Sequence, residues 1–191
     1  MDITVAMLLL FLLWPLFLII AILIKLNSKG PVYFKQIRVG LNEQHFKIYK
    51  FRTMFLKAEQ EGQLTVGGRD ARITNVGYYL RKYKLDELPQ LMNVFLGHMS
   101  LVGPRPEVPY YVSFYSEMQR KVFSIRPGIT DNASIAFTNE NDLLAQAKNP
   151  EWEYINVIMP AKLAINLQYI EHHNLWVDLK IIYRTVAKVW M

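Results

Sequence analysis

The chain has 191 residues, enough for one domain with a sizeable hydrophobic core and too few for two comfortable ones. Its hydrophobic fraction of 52% is high for a soluble protein, and its formal net charge of +6 favours an anionic partner: nucleic acid, phospholipid or a phosphorylated substrate. It contains no cysteine, which excludes disulfides, thiolate catalysis and zinc–thiolate sites.

The first predicted element is an apolar N-terminal helix. From Ile3 to Ile24 every residue is apolar except Thr4, and such a helix reaches roughly 33 Å at about 1.5 Å per residue, close to the thickness of a bilayer core. Basic residues from Lys25 onward place the rest of the chain in the cytoplasm by the positive-inside bias. Pro15 predicts a kink. A kinked spanning helix and a helix that returns to the face it entered both remain open, and hydropathy alone favours the first.

A small β-hairpin and a series of helices are predicted next. Two β-like stretches, 32–34 and 46–51, flank a loop that contains turn residues. Because proline is tolerated only in the first turn of a helix, Pro89 predicts a new helix that begins around Leu85 or Asp86. Further helical stretches are predicted at 110–123, 140–147, 151–172 and 176–190. This is a mainly α fold of the α+β class.

The last predicted helix has a basic face. Lys180, Arg184 and Lys188 recur every four residues, while apolar residues occupy another face. A helix that lies in a lipid interface and a core-facing helix with a solvated basic side fit this pattern equally well. Tryptophans lie at amphipathic positions of the closing helices, at Trp152, Trp176 and Trp190.

The acidic pair Asp86-Glu87 is the first candidate for chemistry. The predicted helix start would place both carboxyl groups near free amide groups, which favour the ionised form. Ionised carboxylates can act as nucleophiles or as metal ligands, and adjacent ones suit Mg²⁺. The same residue types also open many helices without any further role.

Arg105 is the second candidate, because Pro104 and Pro106 restrict the backbone on both sides of it. Such an arginine suits a phosphate, although a rigid turn with a solvent-facing arginine has the same sequence. Phosphoryl transfer onto a carboxylate requires cations around the acidic pair, since the charge on the phosphate must be neutralised. The other basic candidates are Lys50, Arg52, Arg81 and Arg126.

Taken in order, the motifs resemble the small monotopic phosphoglycosyl transferases, a family of bacterial sugar transferases. The resemblance is close from the membrane segment to about Gly128 and looser beyond it. Five ordered matches make chance similarity improbable. The matching stretches are 36–40, 46–54, 85–91, 99–106 and 126–130.

The resemblance implies an activity. The family moves a sugar 1-phosphate from a UDP-sugar to polyprenol (undecaprenyl) phosphate and releases UMP, the first membrane step of glycan assembly. It implies that Asp86 is the nucleophile of a ping-pong reaction through a phosphosugar-aspartyl intermediate, and that Glu87 assists Asp86 and a bound Mg²⁺. The substrate-binding residues it implies are Arg105 with Pro104 and Pro106, together with Lys50, Arg52, Arg81 and Arg126.

The resemblance also reverses the expectation for the N-terminal helix. In this family the proline-broken helix is re-entrant, and Pro15 matches the break. Residues 1–26 are then a re-entrant membrane helix, and residues 27–191 a catalytic domain on the cytoplasmic face of the bacterial inner membrane. The implied partners are a UDP-sugar, polyprenol phosphate and membrane phospholipids, with no nucleic acid, and an oligomer is allowed.

The sequence departs from the family pattern at two informative places. Trp14 stands where the family often has serine before the proline. The residues after Thr130 are Asp131-Asn132-Ala133-Ser134, where many members have Gly-Trp-Ala-Gln, so the resemblance does not fix the sugar.

Two functions of other classes compete with the transferase. One is a membrane-anchored protein that binds anionic lipid or nucleic acid without catalysis, and the other is an inactive scaffold in a glycan-assembly complex. The binding protein gives no reason for an acidic pair accompanied by a proline-flanked arginine.

Overall fold

A computed structural model describes residues 1–56, 58, 62, 64–67 and 70–190. Helices predominate over strands, as predicted for a mainly α member of the α+β class. The α-helices are α1 (Asp2–Asn27), α2 (Asn75–Lys82), α3 (Gln90–Phe95), α4 (Pro109–Val112), α5 (Asn132–Ala136), α6 (Glu140–Gln146), α7 (Pro150–Glu153), α8 (Met159–His172) and α9 (Leu175–Trp190). The strands are β1 (Tyr33–Val39), β2 (His45–Phe51), β3 (Ser100–Val102) and β4 (Gly128–Thr130). Short 3-10 turns cover Leu41–Glu43, Leu85–Glu87 and Gln119–Ser124, and a π-helical segment, Tyr154–Ile158, joins α7 to α8.

The predicted hairpin is confirmed. Strands β1 and β2 pair antiparallel, with Tyr33 opposite Phe51 and Val39 opposite His45. The connection is tight, because Asn42 and Glu43 adopt left-handed backbone angles with φ of 51° and 60°. The hairpin fixes the position of the end of β2, next to which the acidic pair lies.

A second, parallel pairing joins two of the sequence motifs. Strand β3 pairs with β4, so that Ser100 lies opposite Gly128 and Val102 opposite Thr130. The backbones then approach so closely that a Cβ on Gly128 would lie 2.1 Å from the Gly103 nitrogen. Glycine is therefore required here by space, and the close approach sets the position of the loop that carries Arg105.

Helix α1 packs along the body of the protein at both of its ends. The Ser100 hydroxyl donates a hydrogen bond to the Asp2 carboxylate at the start of the helix. At its other end the Asn27 side chain accepts from the Val76 amide at 3.3 Å. A helix of 26 residues is about 39 Å long, so the body extends along its whole length.

Apolar contacts cover one side of α1 between these ends. Ala6 is buried in a cluster with Met99, and Ile20 and Ile24 are buried in a second cluster with Phe51. Most of the other side is exposed. Within the described residues α1 is the one helix long and apolar enough to cross a membrane.

Helical structure continues through Pro15, which therefore does not divide α1 into two helices. Proline removes one backbone donor and its ring displaces the carbonyl four residues earlier, so a helix that continues through it can still bend there.

The main core lies between β1, α4 and the long helix formed by α7, the π segment and α8. Its buried members include Val39, Tyr111, Phe123, Leu144 and Leu163. The single helix predicted over 110–123 is wrong. Helix α4 ends at Val112, because Ser116 and Gln119 then form reciprocal side-chain-to-backbone hydrogen bonds that start a new turn.

Helix α9 has one buried and one exposed face. Ile181 is buried in a cluster with Tyr169 of α8. Trp176 and Tyr183 are exposed by 81% and 74%. Trp152 of α7 is also exposed, whereas the Trp190 side chain lies outside the described part of the structure.

Candidate active site

The acidic pair lies in a tight turn between α2 and α3. Lys84 adopts a left-handed conformation with φ 56°, and the 3-10 turn Leu85–Glu87 follows it. The α-helix begins only at Gln90, after the buried Pro89. The predicted helix start around Leu85 or Asp86 is therefore too early. Proline lacks the backbone N–H, so it sits ahead of the first residue of α3, and the acidic pair forms its own turn.

Glu87 is held by two cations. Lys50 at the end of β2 donates to Glu87 Oε1 at 3.1 Å. The Arg105 guanidinium binds both carboxylate oxygens, with Nη1 3.1 Å from Oε2 and Nη2 bonded to Oε1. Arg105 and Lys50 together hold the pKa of Glu87 well below its usual range, against the opposing effect of burial. Glu87 is therefore ionised, and its negative charge is balanced by the positive charges of Arg105 and Lys50.

Asp86 has very different surroundings, although it is the next residue along the chain. Its side chain is 7% exposed, and its Oδ1 has no hydrogen-bond partner among the described residues. Burial, and then the neighbouring Glu87 charge, raise its pKa, while Lys50 and Arg81 act in the opposite direction. The prediction that a helix N-terminus favours the ionised form of both carboxyl groups is therefore not met at Asp86, where burial acts against ionisation and raises the pKa.

Lys50 and Arg81 complete the charge balance around the pair. Burial lowers the pKa of Lys50 to about 8, despite the opposing effect of Glu87. Arg81, in the last turn of α2, donates to the Thr53 hydroxyl at 2.9 Å and to the Thr65 hydroxyl at 3.2 Å. Of the predicted basic residues, Lys50 and Arg105 bind Glu87 directly, and Arg81 interacts electrostatically with Asp86.

Arg52 and Arg126 instead bind backbone carbonyl groups elsewhere. Arg52 donates to the carbonyl oxygens of Ser28, at 2.8 Å, and Lys29. It thus satisfies acceptors just beyond the end of α1. Arg126 donates to the Gly97 carbonyl at 2.9 Å.

The loop that carries Arg105 is fixed by backbone contacts. The Pro104 carbonyl accepts from the Gly128 amide at 3.0 Å, and the Pro106 carbonyl accepts from the Arg38 guanidinium at 2.9 Å. The Arg105 amide itself donates to Asp131 at 2.9 Å. The two predicted prolines therefore act through their carbonyl groups as well as through their restricted backbone.

Several residues near the site escape the sequence reasoning. Arg38 forms an ion pair with Glu107 at 3.2 Å, and the Tyr154 hydroxyl donates to the same carboxylate. Asp131, which is 1% exposed, accepts hydrogen bonds from Arg105 and from Asn166 of α8. Arg38 lies in the matching stretch 36–40, and that motif is the feature of the sequence that could have identified it. The others are far apart in the chain and share no motif.

A cavity of about 220 Å³ lies next to Arg105. Its polar lining includes groups of both charges and an amide: Arg38, Arg105, Glu107, Glu140, Lys162 and Asn166. Within the described ranges no group of three or more histidine, aspartate or glutamate side chains could hold a metal ion. The acidic pair supplies two carboxylates, and any further ligands there would come from substrate or water.

The chain belongs to the bacterial sugar transferase family, whose sequence profile matches residues 1–191. A UDP-glucose:undecaprenyl-phosphate glucose-1-phosphate transferase of Klebsiella pneumoniae is 38% identical over 98% of this chain and 38% of its own length. A UDP-N-acetylgalactosamine-undecaprenyl-phosphate N-acetylgalactosaminephosphotransferase of Aeromonas hydrophila is 38% identical over 99% of this chain and 42% of its own. A UDP-glucose:undecaprenyl-phosphate glucose-1-phosphate transferase of Caulobacter vibrioides, also 38% identical, is matched over 68% of its length.

The chain spans about two fifths of the length of the first two of these relatives. Within the matched region it carries the acidic pair, the proline-flanked arginine and the apolar helix. That helix and the family membership indicate that the protein associates with a membrane.

Proposed function

We propose that this chain transfers a sugar 1-phosphate from a UDP-sugar to polyprenol phosphate, undecaprenyl phosphate in particular, with release of UMP. The observation that carries the proposal is the contrast within the acidic pair. Glu87 is neutralised by Arg105 and Lys50, whereas Asp86 keeps a buried oxygen without a partner among the described residues. Family membership, and the substrates named for the Klebsiella and Aeromonas relatives, support the same chemistry.

In the proposed reaction the Asp86 carboxylate attacks the β-phosphorus of the UDP-sugar. The bond from this phosphorus to the oxygen that bridges the two phosphates breaks, and its electron pair leaves with UMP. The sugar phosphate remains on Asp86 as an acyl phosphate. A phosphate oxygen of polyprenol phosphate then attacks the same phosphorus, which yields the polyprenyl diphosphate sugar and frees Asp86.

The neighbouring cations support both steps. Lys50 and Arg105 are ion-paired with Glu87 and so lie close to Asp86, where they reduce the repulsion between an anionic nucleophile and an anionic phosphate. Arg81 lowers the pKa of Asp86 against the effect of burial, which favours the ionised nucleophile. The loop bonds to Arg105 keep its guanidinium in place during turnover.

The acidic pair also fits Mg²⁺, which takes one or two carboxylates together with phosphate and water oxygens. Asp86 and Glu87 would hold the ion, and the unpaired Asp86 oxygen is the group that most clearly lacks a ligand among the described residues. When bound, Mg²⁺ would neutralise charge on the diphosphate of the substrate.

We also propose that α1 is re-entrant and that the catalytic domain rests on the cytoplasmic face of the bacterial inner membrane. The contacts of Asp2 and Asn27 with one and the same body support this placement, because a helix that crosses the bilayer would carry one end away from the body. The exposed Trp176 and Tyr183 of α9 suit the headgroup region of phospholipids.

Release of UMP by purified protein tests the proposal. With undecaprenyl phosphate, Mg²⁺ and a panel of UDP-sugars, we expect the wild type to release UMP from at least one sugar nucleotide. Without the lipid acceptor it should release one equivalent of UMP and gain the mass of a sugar phosphate on Asp86. Asp86→Asn should lower the rate at least about 10³-fold, because the nucleophile is lost.

Asp142→Asn is the matched control, since Asp142 is exposed on α6. It should release UMP at the wild-type rate. Binding of Asp86→Asn to anionic vesicles should be retained. If Asp86→Asn released UMP at an unchanged rate, the nucleophile assignment would fail. If the wild type released none from any sugar, the inactive scaffold would be the better description.

A further inference from the structure

The cavity beside Arg105 is lined by a buried amide whose orientation is fixed. Asn166 of α8 is 4% exposed, and its Nδ2 donates to Asp131 Oδ2 at 3.1 Å. Because a carboxylate accepts hydrogen bonds and does not donate them, the amide nitrogen must be the atom that faces Asp131. The carbonyl oxygen of Asn166 is therefore left for another partner.

That oxygen has no hydrogen-bond partner in the part of the chain that the structure describes. Buried acceptors are nearly always paired in folded proteins, and an exception indicates a missing water, ion or ligand. Asn166 lines the cavity, so a molecule that enters it can supply the donor.

Asp131 connects the Asn166 amide to the loop that carries Arg105. Its carboxylate is buried and accepts from the Arg105 backbone amide at 2.9 Å as well as from Asn166. The Arg105 guanidinium in turn binds Glu87, so Arg105 joins the Asn166–Asp131 pair to the acidic pair through its own backbone and side chain. Because Arg105 both lines the cavity and binds Glu87, a ligand in the cavity is close to the place where the proposed reaction occurs.

The lining of the cavity suits a sugar better than a phosphate. The cations of its described lining are ion-paired with carboxylates: Lys162 with Glu140 at 2.6 Å, Arg38 with Glu107 at 3.2 Å, and Arg105 with Glu87. These carboxylates offset most of the positive charge that a phosphate would need, whereas sugar hydroxyl groups can donate to the carboxylates and accept from the lysine. The cavity of about 220 Å³ is smaller than the roughly 300–1,000 Å³ of sites for drug-sized ligands, which favours a monosaccharide over a whole sugar nucleotide.

We infer that this cavity is the sugar subsite of the UDP-sugar site, and that Asn166 Oδ1 accepts a hydrogen bond from a hydroxyl or amide N–H group of the sugar. Asn166 is then a specificity-determining residue, and Asp131 positions it. The inference rests on the proposed function. Asp131 stands where many members of the resembled family have glycine, and a glycine there has no side chain to form this pairing.

Two measurements on Asn166→Ala test the inference. The first is kcat/KM across a panel of UDP-hexoses and UDP-N-acetylhexosamines that includes UDP-glucose and UDP-N-acetylgalactosamine. The second is the Kd of UDP, which lacks the sugar. We expect kcat/KM for the preferred sugar to fall about tenfold or more, because a hydrogen bond to the substrate is lost. The differences in kcat/KM between the sugars should become smaller. The Kd of UDP should stay within about twofold.

Asn156→Ala is the matched control, because Asn156 is exposed and its side chain donates to the nearby Trp152 carbonyl at 2.8 Å. It should leave both measurements unchanged. If Asn166→Ala weakened UDP binding as much as it lowered kcat/KM for every UDP-sugar, the inference would be overturned. Asn166 would then act on the nucleotide or on the overall fold. An unchanged sugar preference would overturn it as well.

A second variant covers the case in which Asn166→Ala does not fold. Glu140→Gln changes a partly exposed residue at the same cavity, and it should also alter the sugar preference without altering the Kd of UDP. If the wild type turned over no UDP-sugar, the proposed function would fail. The subsite is then judged by calorimetry alone, and it stands only if Asn166→Ala weakens binding of a UDP-sugar without weakening that of UDP.

Discussion

Asp86 and Glu87 share one turn and meet opposite conditions. The Glu87 carboxylate gains two cations, so its ionised form is favoured and its pKa is depressed. The Asp86 carboxyl is desolvated next to that negative charge, so its pKa is raised. Two adjacent carboxyl groups with opposite pKa shifts are a common arrangement where one acts as a reactant and the other supports it.

The two isosteric substitutions should therefore change stability in opposite directions. Glu87→Gln leaves Arg105 and Lys50 without their counter-ion, and we expect the free energy of unfolding to fall by about 2 kcal/mol, a buried-pair loss reduced for partial exposure. Asp86→Asn removes a carboxyl group that is costly to ionise, and we expect a gain of about 1 kcal/mol. For a chain of this length each kcal/mol corresponds to about 2–4 °C in Tm.

The pH dependence of these differences follows from the directions of the pKa shifts. A raised pKa means that Asp86 destabilises the fold as pH rises through that pKa, so the advantage of Asp86→Asn should grow with pH. A lowered pKa means that Glu87 stabilises the fold above its ordinary pKa and loses this effect as pH falls, so the deficit of Glu87→Gln should shrink in acid. Thermal unfolding between about pH 2 and pH 8 measures both trends, because the effect of Glu87 is lost only below its ordinary pKa. Parallel curves for the two variants would contradict them.

Residue-level prediction from sequence succeeds where a motif is contiguous. Asp86, Glu87 and Arg105 come from such motifs, and the structure brings them together. The sequence also groups Arg52 with Lys50, since both occupy one motif. Strand β2 ends at Phe51, however, and beyond it Arg52 binds the free carbonyl groups after α1. The pairing of Asp131 with Asn166 bridges 35 positions of the chain, and no local pattern predicts it.

Among the secondary-structure elements, the parallel strands β3 and β4 determine the position of the loop that carries Arg105. Its tolerance for added volume is small, because a Cβ on Gly128 would lie 2.1 Å from the Gly103 nitrogen and 2.5 Å from the Gly103 oxygen. Both contacts are with backbone atoms, which cannot move away as a flexible side chain would.

Gly128→Ala should therefore destabilise the protein by at least about 3 kcal/mol and reduce UMP release in parallel. The matched control is Gly97→Ala. Gly97 has φ of 78° and no neighbouring atom within 4 Å of an added Cβ, so only the left-handed conformation is penalised, by about 1 kcal/mol. Denaturant titration of the two variants gives the comparison, and equal losses would show that space around Gly128 is not the limiting factor.

The boundaries of elements are less predictable than their presence. The predicted stretches 140–147 and 176–190 agree closely with α6 and α9, because their periodic patterns are uninterrupted. The stretch 110–123 divides at Ser116, where a local capping arrangement competes with helix continuation. Between 151 and 172 the chain is helical as predicted, but it includes a π segment that hydropathy does not reveal.

On the scale of the whole molecule, the re-entrant placement requires both ends of α1 to lie on one side of the membrane. The chain has no cysteine, so single cysteines added ahead of residue 1 and in place of the exposed Lys121 give labelling without background. In intact spheroplasts a membrane-impermeant maleimide should label neither position. In inverted vesicles it should label both with similar rates.

A matched control is a cysteine added to the periplasmic end of an unrelated spanning helix, which must be labelled in spheroplasts. Labelling of the N-terminal cysteine, but not of Lys121→Cys, in intact spheroplasts would establish a spanning α1 instead. Hydropathy predicts the spanning arrangement, because it takes no account of the packing of Ala6 and Ile20 against the body.

The contacts of α1 also set an order of assembly. The residues that cover its buried side, Ile48, Leu80, Leu91 and Met99, all follow it in the chain. During synthesis the helix therefore leaves the ribosome before these partners do, and the Asp2–Ser100 bond closes a loop of nearly one hundred residues. The exposed apolar surface then needs lipid or a chaperone, and we expect α1 to reach the bilayer before the body folds against it.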